Sequence, residues 1–138
     1  MNRVDLQKLS RLRVQEARVL LKSGQSAGAY YLAAYAVECA LKACIARAVK
    51  RYQFPDRRTV NESYTHDLTQ LIKVAGAQTA LQTELRANAQ FALNWAVVKD
   101  WSESARYSLV ISPAQARDLF AAVTGNPNGV LPWLKKRW

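Results

Sequence analysis

The stretch Ala29-Tyr-Tyr-Leu-Ala-Ala-Tyr-Ala-Val-Glu-Cys-Ala-Leu-Lys-Ala-Cys-Ile-Ala46 decides the fold. It contains neither Gly nor Pro and is rich in Ala and Leu, the residues with the highest helix propensities. Apolar residues fall on almost every side of the helix, which predicts a central helix packed against several neighbours. Only Glu38 and Lys42 are charged. They stand four residues apart with the acid first, so they share one face, and the pair must be either buried or presented to a groove.

The composition is that of one folded domain covering residues 1–138. Half of the residues are hydrophobic, and the chain has only five Gly and four Pro, which is typical of a globular domain with its own core. The first residues lack the apolar segment of a signal peptide. The most apolar window is short and is interrupted by Glu38 and Lys42. We therefore expect a cytoplasmic protein that does not span a membrane.

Cysteine and histidine usage predicts neither a disulfide nor a metal site. Cys39 and Cys44 lie on one predicted helix, where five residues separate their Cα atoms by about 7.5 Å, beyond easy disulfide reach. The chain has a single His, so a Cys/His zinc site is not expected. Because no Gly-rich phosphate loop, Ser/His/Asp set or carboxylate cluster is visible either, we predict no metal and no cofactor.

The net charge of +10 is the strongest signal in the composition. The basic residues are clustered in 1–22, in 42–58 and in 135–137. A clustered basic surface attracts phosphates and makes binding depend on salt. The pattern predicts an RNA or nucleotide ligand. The alternatives are a basic surface that is merely solvated and one that docks an acidic partner.

The periodicity of apolar residues predicts an all-α fold: an antiparallel up-and-down bundle of four to five helices plus a short C-terminal helical tail. A turn at 126–129 sets off residues 126–138 as a short appendage. Ser26 is the expected cap of the central helix, and Thr65 is the expected cap of the short third helix, with Asp67 in its first turn. The expected helices are Val4 to Lys22, the central helix to about Arg51, Leu68 to about Ala75, Thr79 to about Trp101, and a helix that starts at Ser112-Pro113 and ends at Gly125. Residues 52–64 are expected to form a polar loop.

Three segments, in order along the chain, resemble the signature positions of HEPN-domain proteins. They are Gly28-Ala-Tyr-Tyr-Leu-Ala-Ala-Tyr-Ala-Val-Glu-Cys-Ala-Leu-Lys-Ala43, Thr65-His-Asp-Leu68 and Ala105-Arg-Tyr107. The resemblance covers roughly residues 10–125. It implies a helical bundle that forms homodimers, binds or cleaves RNA or nucleotides, and is often encoded beside a small nucleotidyltransferase, as toxin and antitoxin or as paired subunits.

The catalytic members of that family are metal-independent endoribonucleases with an Arg-x(4–6)-His motif, whose Arg and His act across the dimer groove. This chain departs from the motif. Its single His is His66, and the nearest upstream arginines, Arg58 and Arg57, precede it with seven and eight residues between. Arg106 occupies a suitable place for the motif's Arg, but residues 107–138 contain no His.

The candidate residues each allow a structural and a functional interpretation. His66 suits a general acid or base, and equally a residue that bonds the backbone at the start of a helix. The guanidinium of Arg106 can bind phosphate through two parallel hydrogen bonds, while Tyr107 stacks or donates a hydrogen bond. Alternatively, Arg106 can pair with Glu103 or Glu38. Glu38 and Lys42 can orient Arg106 and contact phosphate, or form an ordinary intrahelical pair. Arg57 and Arg58 complete the predicted binding set.

Three functional hypotheses follow. The first is an RNA- or nucleotide-binding homodimer that works beside a nucleotidyltransferase partner in a toxin–antitoxin-type or defence module. The second is a divergent metal-independent endoribonuclease toxin that uses Arg106 and His66. The third is a purely structural interaction subunit. The Trp133 to Trp138 tail either covers a partner subunit or closes its own bundle.

Overall fold

The computed structural model describes residues 1–49, 54–101, 105 and 107–138. Every regular element in these ranges is a helix, which confirms the predicted all-α class. The described residues form eight helices, two more than the five helices and the tail expected from the sequence. They are α1 (Arg3–Lys22), α2 (Ser26–Ala48), α3 (Arg57–Glu62), α4 (Leu68–Val74), α5 (Gln78–Ala87), α6 (Ala89–Lys99), α7 (Pro113–Thr124) and α8 (Val130–Lys135).

Helices α1 and α2 form a hairpin, and α4, α7 and α8 pack directly on it. Asn2 caps α1 in a capping box with Asp5, which satisfies two backbone donors at that end. The hairpin turns at Gly24, whose φ of 79° lies in the left-handed region that glycine enters without steric strain. The buried Ser10 hydroxyl then donates to the carbonyl of Ala36 at 2.8 Å, so a polar bond fixes how α1 lies on α2.

The central helix α2 is the core of the protein. It packs against α1, α4, α7 and α8, and the many alanines on its surface let those helices approach closely. It begins at Ser26 behind Gln25 rather than being capped by Ser26, and it ends at Ala48, where Val49 turns to an extended conformation. The prediction that this helix runs on to Arg51 was therefore wrong, because the helix has already ended at Ala48. Residues 50–53 lie outside the described part of the chain. By length and composition α2 is able to cross a membrane, but two thirds of its apolar window (67%) is buried within the protein, as in a core helix.

Two further predictions about helix boundaries were wrong. Residues 54–64 are not simply a loop, because Asp56 accepts a hydrogen bond from the backbone of Thr59 and starts α3. The helix expected from Thr79 to Trp101 is broken at Asn88, whose φ of −134° is extended and whose side chain caps α6 through the backbone of Phe91. In both places a short polar side chain accepts a hydrogen bond from a backbone N–H group and so starts a helix. The periodicity of apolar residues does not reveal such a cap.

The C-terminal tail closes its own bundle. Helix α8 is buried along most of its length, and the ring of Trp133 lies 5.5 Å from that of Phe91 on α6. Arg3 of α1 donates to the backbone oxygen of Trp138 at 2.8 Å. Of the two roles considered for the tail, covering a partner or completing the core, the structure shows the second.

Candidate functional site

Glu38 is a charged residue in the middle of the hydrophobic core. It lies on α2 between buried apolar neighbours, and its side chain is 1% exposed. A carboxylate at such a depth is unstable unless charged or hydrogen-bonding groups surround it. The partners of Glu38 therefore define the place where the fold departs from an ordinary helical core.

Two side chains share one oxygen of Glu38. Lys42 Nζ lies 2.9 Å from Glu38 Oε1, and His66 Nδ1 lies 2.6 Å from the same atom. An ionised carboxylate only accepts hydrogen bonds, so Nδ1 of His66 carries the proton in this contact. The donors are partly open to solvent, with 25% of the Lys42 side chain and 43% of the His66 side chain exposed. We call Glu38, Lys42 and His66 the Glu38 cluster.

The second oxygen of Glu38 is a buried acceptor. Among the described residues, Oε2 has no hydrogen-bond partner. Leaving a buried charged acceptor unsatisfied is destabilising by roughly 1–3 kcal/mol or more. The simple interpretation of Glu38 and Lys42 as an intrahelical surface pair is therefore inadequate, because such a pair would leave neither oxygen buried.

The start of α4 holds His66 in place. Asp67 caps α4 through the backbone of Gln70 at 3.1 Å, and the Thr65 hydroxyl accepts from the backbone of Asp67 at 3.1 Å. The cap is Asp67, not Thr65 as the sequence suggested. The backbone-capping role considered for His66 is thus filled by its two neighbours, and the imidazole reaches across to α2 instead.

Two cavities adjoin the Glu38 cluster. The first, the Lys42 cavity, has a volume of about 420 Å³ and lies between α1, α2 and α3. Its walls are mostly apolar, with Glu38, Cys39 and Lys42 on one side. Tyr64, 76% exposed, stands at its rim.

The second cavity, the His66 cavity, has a volume of about 460 Å³ and lies between the start of α4 and the end of α6. Its walls are mainly polar. They are formed by Thr65, His66, Asp67, Thr69, Lys99, Asp100 and Trp101. The bond from His66 to Glu38 therefore joins a residue of one cavity to a residue of the other.

A row of aromatic rings runs between the cavities. Tyr35, which lines the Lys42 cavity, stacks on Tyr31 with ring centroids 5.9 Å apart, and Tyr31 lies 5.8 Å from the ring of Trp101 in the His66 cavity. Burial, and then the charge of nearby groups including Glu38, raises the pKa of Tyr35. The spacing of Tyr31 and Tyr35 by four residues signals this contact in the sequence, but nothing local signals Trp101.

The sequence also did not identify Arg13 as a neighbour of the site. Its guanidinium lies 5.9 Å from the centroid of the Tyr35 ring and pairs with Glu16 at 2.5 Å. Arg13 looked like one of several basic residues on the outer face of α1. Only the packing of α1 on α2 brings it beside Tyr35, next to the Lys42 cavity.

Both cysteines are free and buried. Burial is the main cause that raises the pKa of Cys39 to about 11, with the charge of Glu38 acting in the same direction. Burial likewise raises the pKa of Cys44 to about 11. Thiols with such pKa values are protonated at neutral pH, so neither is activated as a nucleophile.

The remaining predicted residues are less closely grouped. Arg57 and Arg58 lie exposed at the start of α3, where Arg58 pairs with Glu62 at 2.8 Å. Neither residue lines the Lys42 or the His66 cavity. Tyr107 is exposed and lies beyond α6. Arg106 lies outside the described residues.

Within the described ranges, no group of three His, Cys, Asp or Glu side chains is placed to hold a metal ion. Comparison with known proteins assigns no family, because no family model, no curated protein and no solved structure matches the chain. The Glu38 cluster and its two cavities are therefore the basis on which a function is proposed.

Proposed function

We propose that the chain binds RNA or nucleotide phosphates at the Glu38 cluster. In this proposal it is a cytoplasmic, homodimeric HEPN-like subunit that works beside a nucleotidyltransferase in a toxin–antitoxin-type or defence module. The observation that carries the binding role is the buried carboxylate of Glu38, which holds Lys42 and His66 side by side while both remain partly exposed. The partners and the module come from the resemblance to HEPN-domain proteins.

The chemistry of the cluster suits a phosphate. Lys42 gives one donor to Glu38 and has two further N–H groups to offer, and a protonated His66 adds a second positive charge. Glu38 orients both, and with 1% of its side chain exposed it presents almost no surface of its own to the Lys42 cavity that it lines. The net charge of +10 attracts polyanions toward the whole surface.

Exposed aromatic side chains near the Lys42 cavity favour a single-stranded ligand. Tyr64 stands at its rim, and Phe54, next to Pro55 of the cavity wall, is fully exposed. Bases of single-stranded RNA stack on such rings, with about 1–3 kcal/mol per base. The combination of the Lys42 ammonium group with open rings suits a surface that binds unpaired nucleotides.

The test is binding of a fluorescently labelled single-stranded RNA at several salt concentrations. We expect the affinity to fall steeply as salt rises. Lys42→Gln should weaken binding and reduce the slope of log K against log salt by about 1. Lys22→Gln, at the exposed end of α1 and away from both cavities, is the charge-matched control and should have a smaller effect. Absence of binding at low salt, or equal effects of the two substitutions, would refute the role of the cluster.

The contact between Glu38 and His66 also favours the second candidate, a metal-independent endoribonuclease. A carboxylate bonded to Nδ1 orients an imidazole so that Nε2 can exchange protons with a substrate. In that reaction His66 would take the proton of a 2′-hydroxyl, whose oxygen attacks the adjacent phosphorus and displaces the 5′-oxygen. The imidazolium so formed, or water, would return a proton to the leaving oxygen, giving a 2′,3′-cyclic phosphate and a 5′-hydroxyl. Arg106 is the proposed phosphate ligand.

An RNA cleavage assay separates this candidate from simple binding. Loss of cleavage in His66→Ala with retained RNA affinity would support the enzyme. Equal cleavage by the wild type and His66→Ala would remove His66 from any mechanism. Arg106→Ala should reduce cleavage and RNA affinity if Arg106 contacts phosphate, whereas an effect on assembly alone would indicate a structural subunit.

A further inference from the structure

A third cavity, lined by two arginines, lies beside the last turn of α2. We call it the Arg47–Arg137 cavity. It has a volume of about 340 Å³ and lies between the end of α2, the junction of α4 with α5, and the C-terminal tail. Its other described wall residues are small and uncharged, and none is a carboxylate. A volume of this size is within the range of ligand sites in proteins.

The two guanidinium groups are not neutralised by acidic side chains. None of the ion pairs in the described part of the chain involves Arg47 or Arg137. Arg137 is held in place, because it donates to the backbone oxygen of Trp133 at 3.0 Å and lies 3.9 Å from the centroid of that ring. A guanidinium has five N–H donors, so Arg137 keeps four for a ligand. Arg47, exposed in the last turn of α2, supplies the second positive charge.

The thiol of Cys44 lies in the field of these arginines. Burial raises its pKa to about 11, and the charges of Arg137, Arg47 and Arg3 partly oppose that effect. Cys44 is itself a wall residue of the cavity. The positive potential of the arginines therefore extends to the wall of the cavity.

The first turn of α5 adds backbone donors beside the arginines. This helix begins after Ala77 without a side-chain cap. The N–H groups of a first helical turn have no partner within the helix and favour anions. Ala77 and Ala80 both line the cavity, so the uncapped turn adjoins it. The helix end adds to the two charged side chains and would not form a site without them.

The number and the charge of these donors select the ligand. They come from three parts of the chain: α2, α5 and the tail. A planar carboxylate offers two oxygens, whereas a terminal phosphate offers three and carries a charge of about −1.5 to −2 at neutral pH. Guanidinium groups bind phosphate oxygens in pairs. We infer that Arg47 and Arg137 bind a terminal phosphate group, a phosphomonoester, in this cavity.

This second phosphate site goes beyond the proposed function, because it uses none of the residues of the Glu38 cluster. A small cavity of about 210 Å³ lies between the two sites. It shares Ile45 and Val49 with the Lys42 cavity, and Ala48 with the Arg47–Arg137 cavity. The three cavities thus form a series around the C-terminal end of α2. The phosphate can belong to a free nucleotide or to the 5′ end of an RNA strand.

The first experiment is calorimetric titration of the full chain with AMP and with adenosine at low salt. It is done in the Lys42→Gln variant, which weakens phosphate binding at the Glu38 cluster. AMP should bind at least about tenfold more tightly than adenosine, and adding Arg47→Gln should lower the affinity for AMP about tenfold. Arg86→Gln, at an exposed arginine in the last turn of α5, is the matched control and should have a smaller effect. Equal effects of the two substitutions would overturn the inference.

A second pair of variants tests the cavity without removing an arginine. Ala80→Glu places a carboxylate in the first turn of α5, where a negative charge favours the helix, so the variant should fold. That carboxylate competes with the phosphate and should lower the affinity for AMP about tenfold. Ala80→Gln has nearly the same size without the charge and should have a smaller effect. Equal affinities of the two variants for AMP would contradict the inference.

Two RNAs of one sequence, with a 5′-phosphate or a 5′-hydroxyl and a label at the 3′ end, identify the source of the phosphate. Tighter binding of the 5′-phosphorylated RNA that is lost in Arg47→Gln assigns the site to strand ends. Equal binding of the two RNAs, with binding of AMP that depends on Arg47, assigns it to free nucleotides.

The remaining outcomes separate this inference from the proposed function. If neither AMP nor the 5′-phosphorylated RNA is preferred over its partner without the phosphate, the second site is refuted, while RNA binding that depends on Lys42 leaves the proposed function standing. Binding of an oligo-glutamate peptide through Arg47, without binding of AMP, would also refute the site and indicate an acidic protein partner. Binding of AMP through Arg47, with no effect of Lys42→Gln on RNA, would support the site and refute the proposed role of the Glu38 cluster.

Discussion

His66 Nδ1 lies 2.6 Å from Oε1 of Glu38, although 28 residues separate the two in the chain. The contact joins the start of α4 to the middle of α2 across the edge of the core. It gives a buried carboxylate a second donor besides Lys42 and orients a histidine that is otherwise half exposed. One oxygen of Glu38 therefore links α2 and α4, beside the apolar packing of α4 in the core.

The first prediction concerns the energy of this contact. Glu38→Gln keeps the size of the side chain but removes the charge that Lys42 and His66 share, and should lower the free energy of unfolding by about 1–3 kcal/mol. A double-mutant cycle of Glu38→Gln with His66→Ala should give a coupling energy of about 0.5–3 kcal/mol. Urea denaturation measures both. The matched control is Glu62→Gln, which breaks the exposed pair with Arg58 and should change stability by no more than about 1 kcal/mol.

An equally small effect of the two Gln substitutions would show that the Glu38 cluster behaves as a surface ion pair. A coupling energy near zero between Glu38 and His66 would mean that their contact is not maintained in solution. Circular dichroism of Glu38→Gln should retain the helical signal, because the substitution removes a charge and no apolar surface. Loss of that signal would instead indicate that Glu38 is required for folding as a whole.

The sequence predicted the fold class and part of the site because those depend on local signals. The apolar character of residues 29–46 marks α2 as the core, and Ser112-Pro113 marks the start of α7, which the structure confirms with a capping box. The charges of Glu38 and Lys42 stand out against the same apolar background. Their spacing of four residues places them on one face, and the structure finds them paired.

The rest of the site depends on contacts between distant parts of the chain. His66 was a candidate residue, but its bond to Glu38 requires the path of residues 54–67 around α2. No local pattern in the sequence indicates that Trp101 and Arg13 lie near the site. Arg13 reaches Tyr35 because α1 packs on α2, and Trp101, just after α6, reaches Tyr31 of α2. The break at Asn88 escaped prediction for a different reason: one side-chain cap overrides the apolar pattern of residues 79–101.

The second prediction is a loss of stability at alkaline pH that comes from the two thiols. The pKa of Cys39 and of Cys44 is about 11 in the folded chain, raised from an ordinary value of 9 mainly by burial. Between pH 9 and 11 the unfolded chain releases these protons and the folded chain retains them. The folded state is therefore favoured fully below pH 9, and that contribution decreases as the pH rises toward 11.

The expected slope is about −1.1 kcal/mol per pH unit for each thiol near pH 10. Urea denaturation at several pH values, compared between the wild type and Cys39→Ala/Cys44→Ala, isolates this contribution. The slopes, rather than the absolute stabilities, are compared because Ala also removes packing volume. Tyr30, whose pKa is raised mainly by burial, titrates in both proteins and cancels. The pKa of Tyr35 is raised by burial and then by Cys39, so removing Cys39 also lessens the contribution of Tyr35 to the slope, in the same direction as the loss of the thiols. The thiol explanation fails if the two slopes are the same.

The third prediction concerns the C-terminal tail as part of the core. Trp133→Ala removes a buried ring that packs on Phe91 and lies beneath the guanidinium of Arg137 at 3.9 Å. It should lower the free energy of unfolding by about 3–5 kcal/mol. Leu93→Ala, at an exposed position of α6, should change it by less than about 0.5 kcal/mol. Thermal or urea denaturation measures both changes in the free energy of unfolding. A small effect of Trp133→Ala would show that the tail does not unfold cooperatively with the rest of the core.

The last prediction separates two roles of Asn88. Its Oδ1 accepts from the backbone of Phe91 at 3.0 Å and caps α6, while its Nδ2 donates to Asn128 at 3.0 Å and to Glu84 at 3.1 Å. Asn88→Ala loses the cap and both side-chain bonds, and should lower the free energy of unfolding by about 1–3 kcal/mol. Asn88→Asp keeps the cap but replaces the donor by a second carboxylate next to Glu84.

The difference between these variants shows which role dominates. If the cap is the larger contribution, Asn88→Asp is close to the wild type at high salt, which screens the repulsion from Glu84, and Asn88→Ala is not. If the bonds to Asn128 and Glu84 dominate, both variants lose similar stability at pH 7, because the carboxylates of Asp and Glu84 repel each other. Ser112→Ala, which removes only a cap at the start of α7, provides the reference of about 1 kcal/mol. Wild-type stability of Asn88→Ala would show that the break between α5 and α6 does not depend on this side chain.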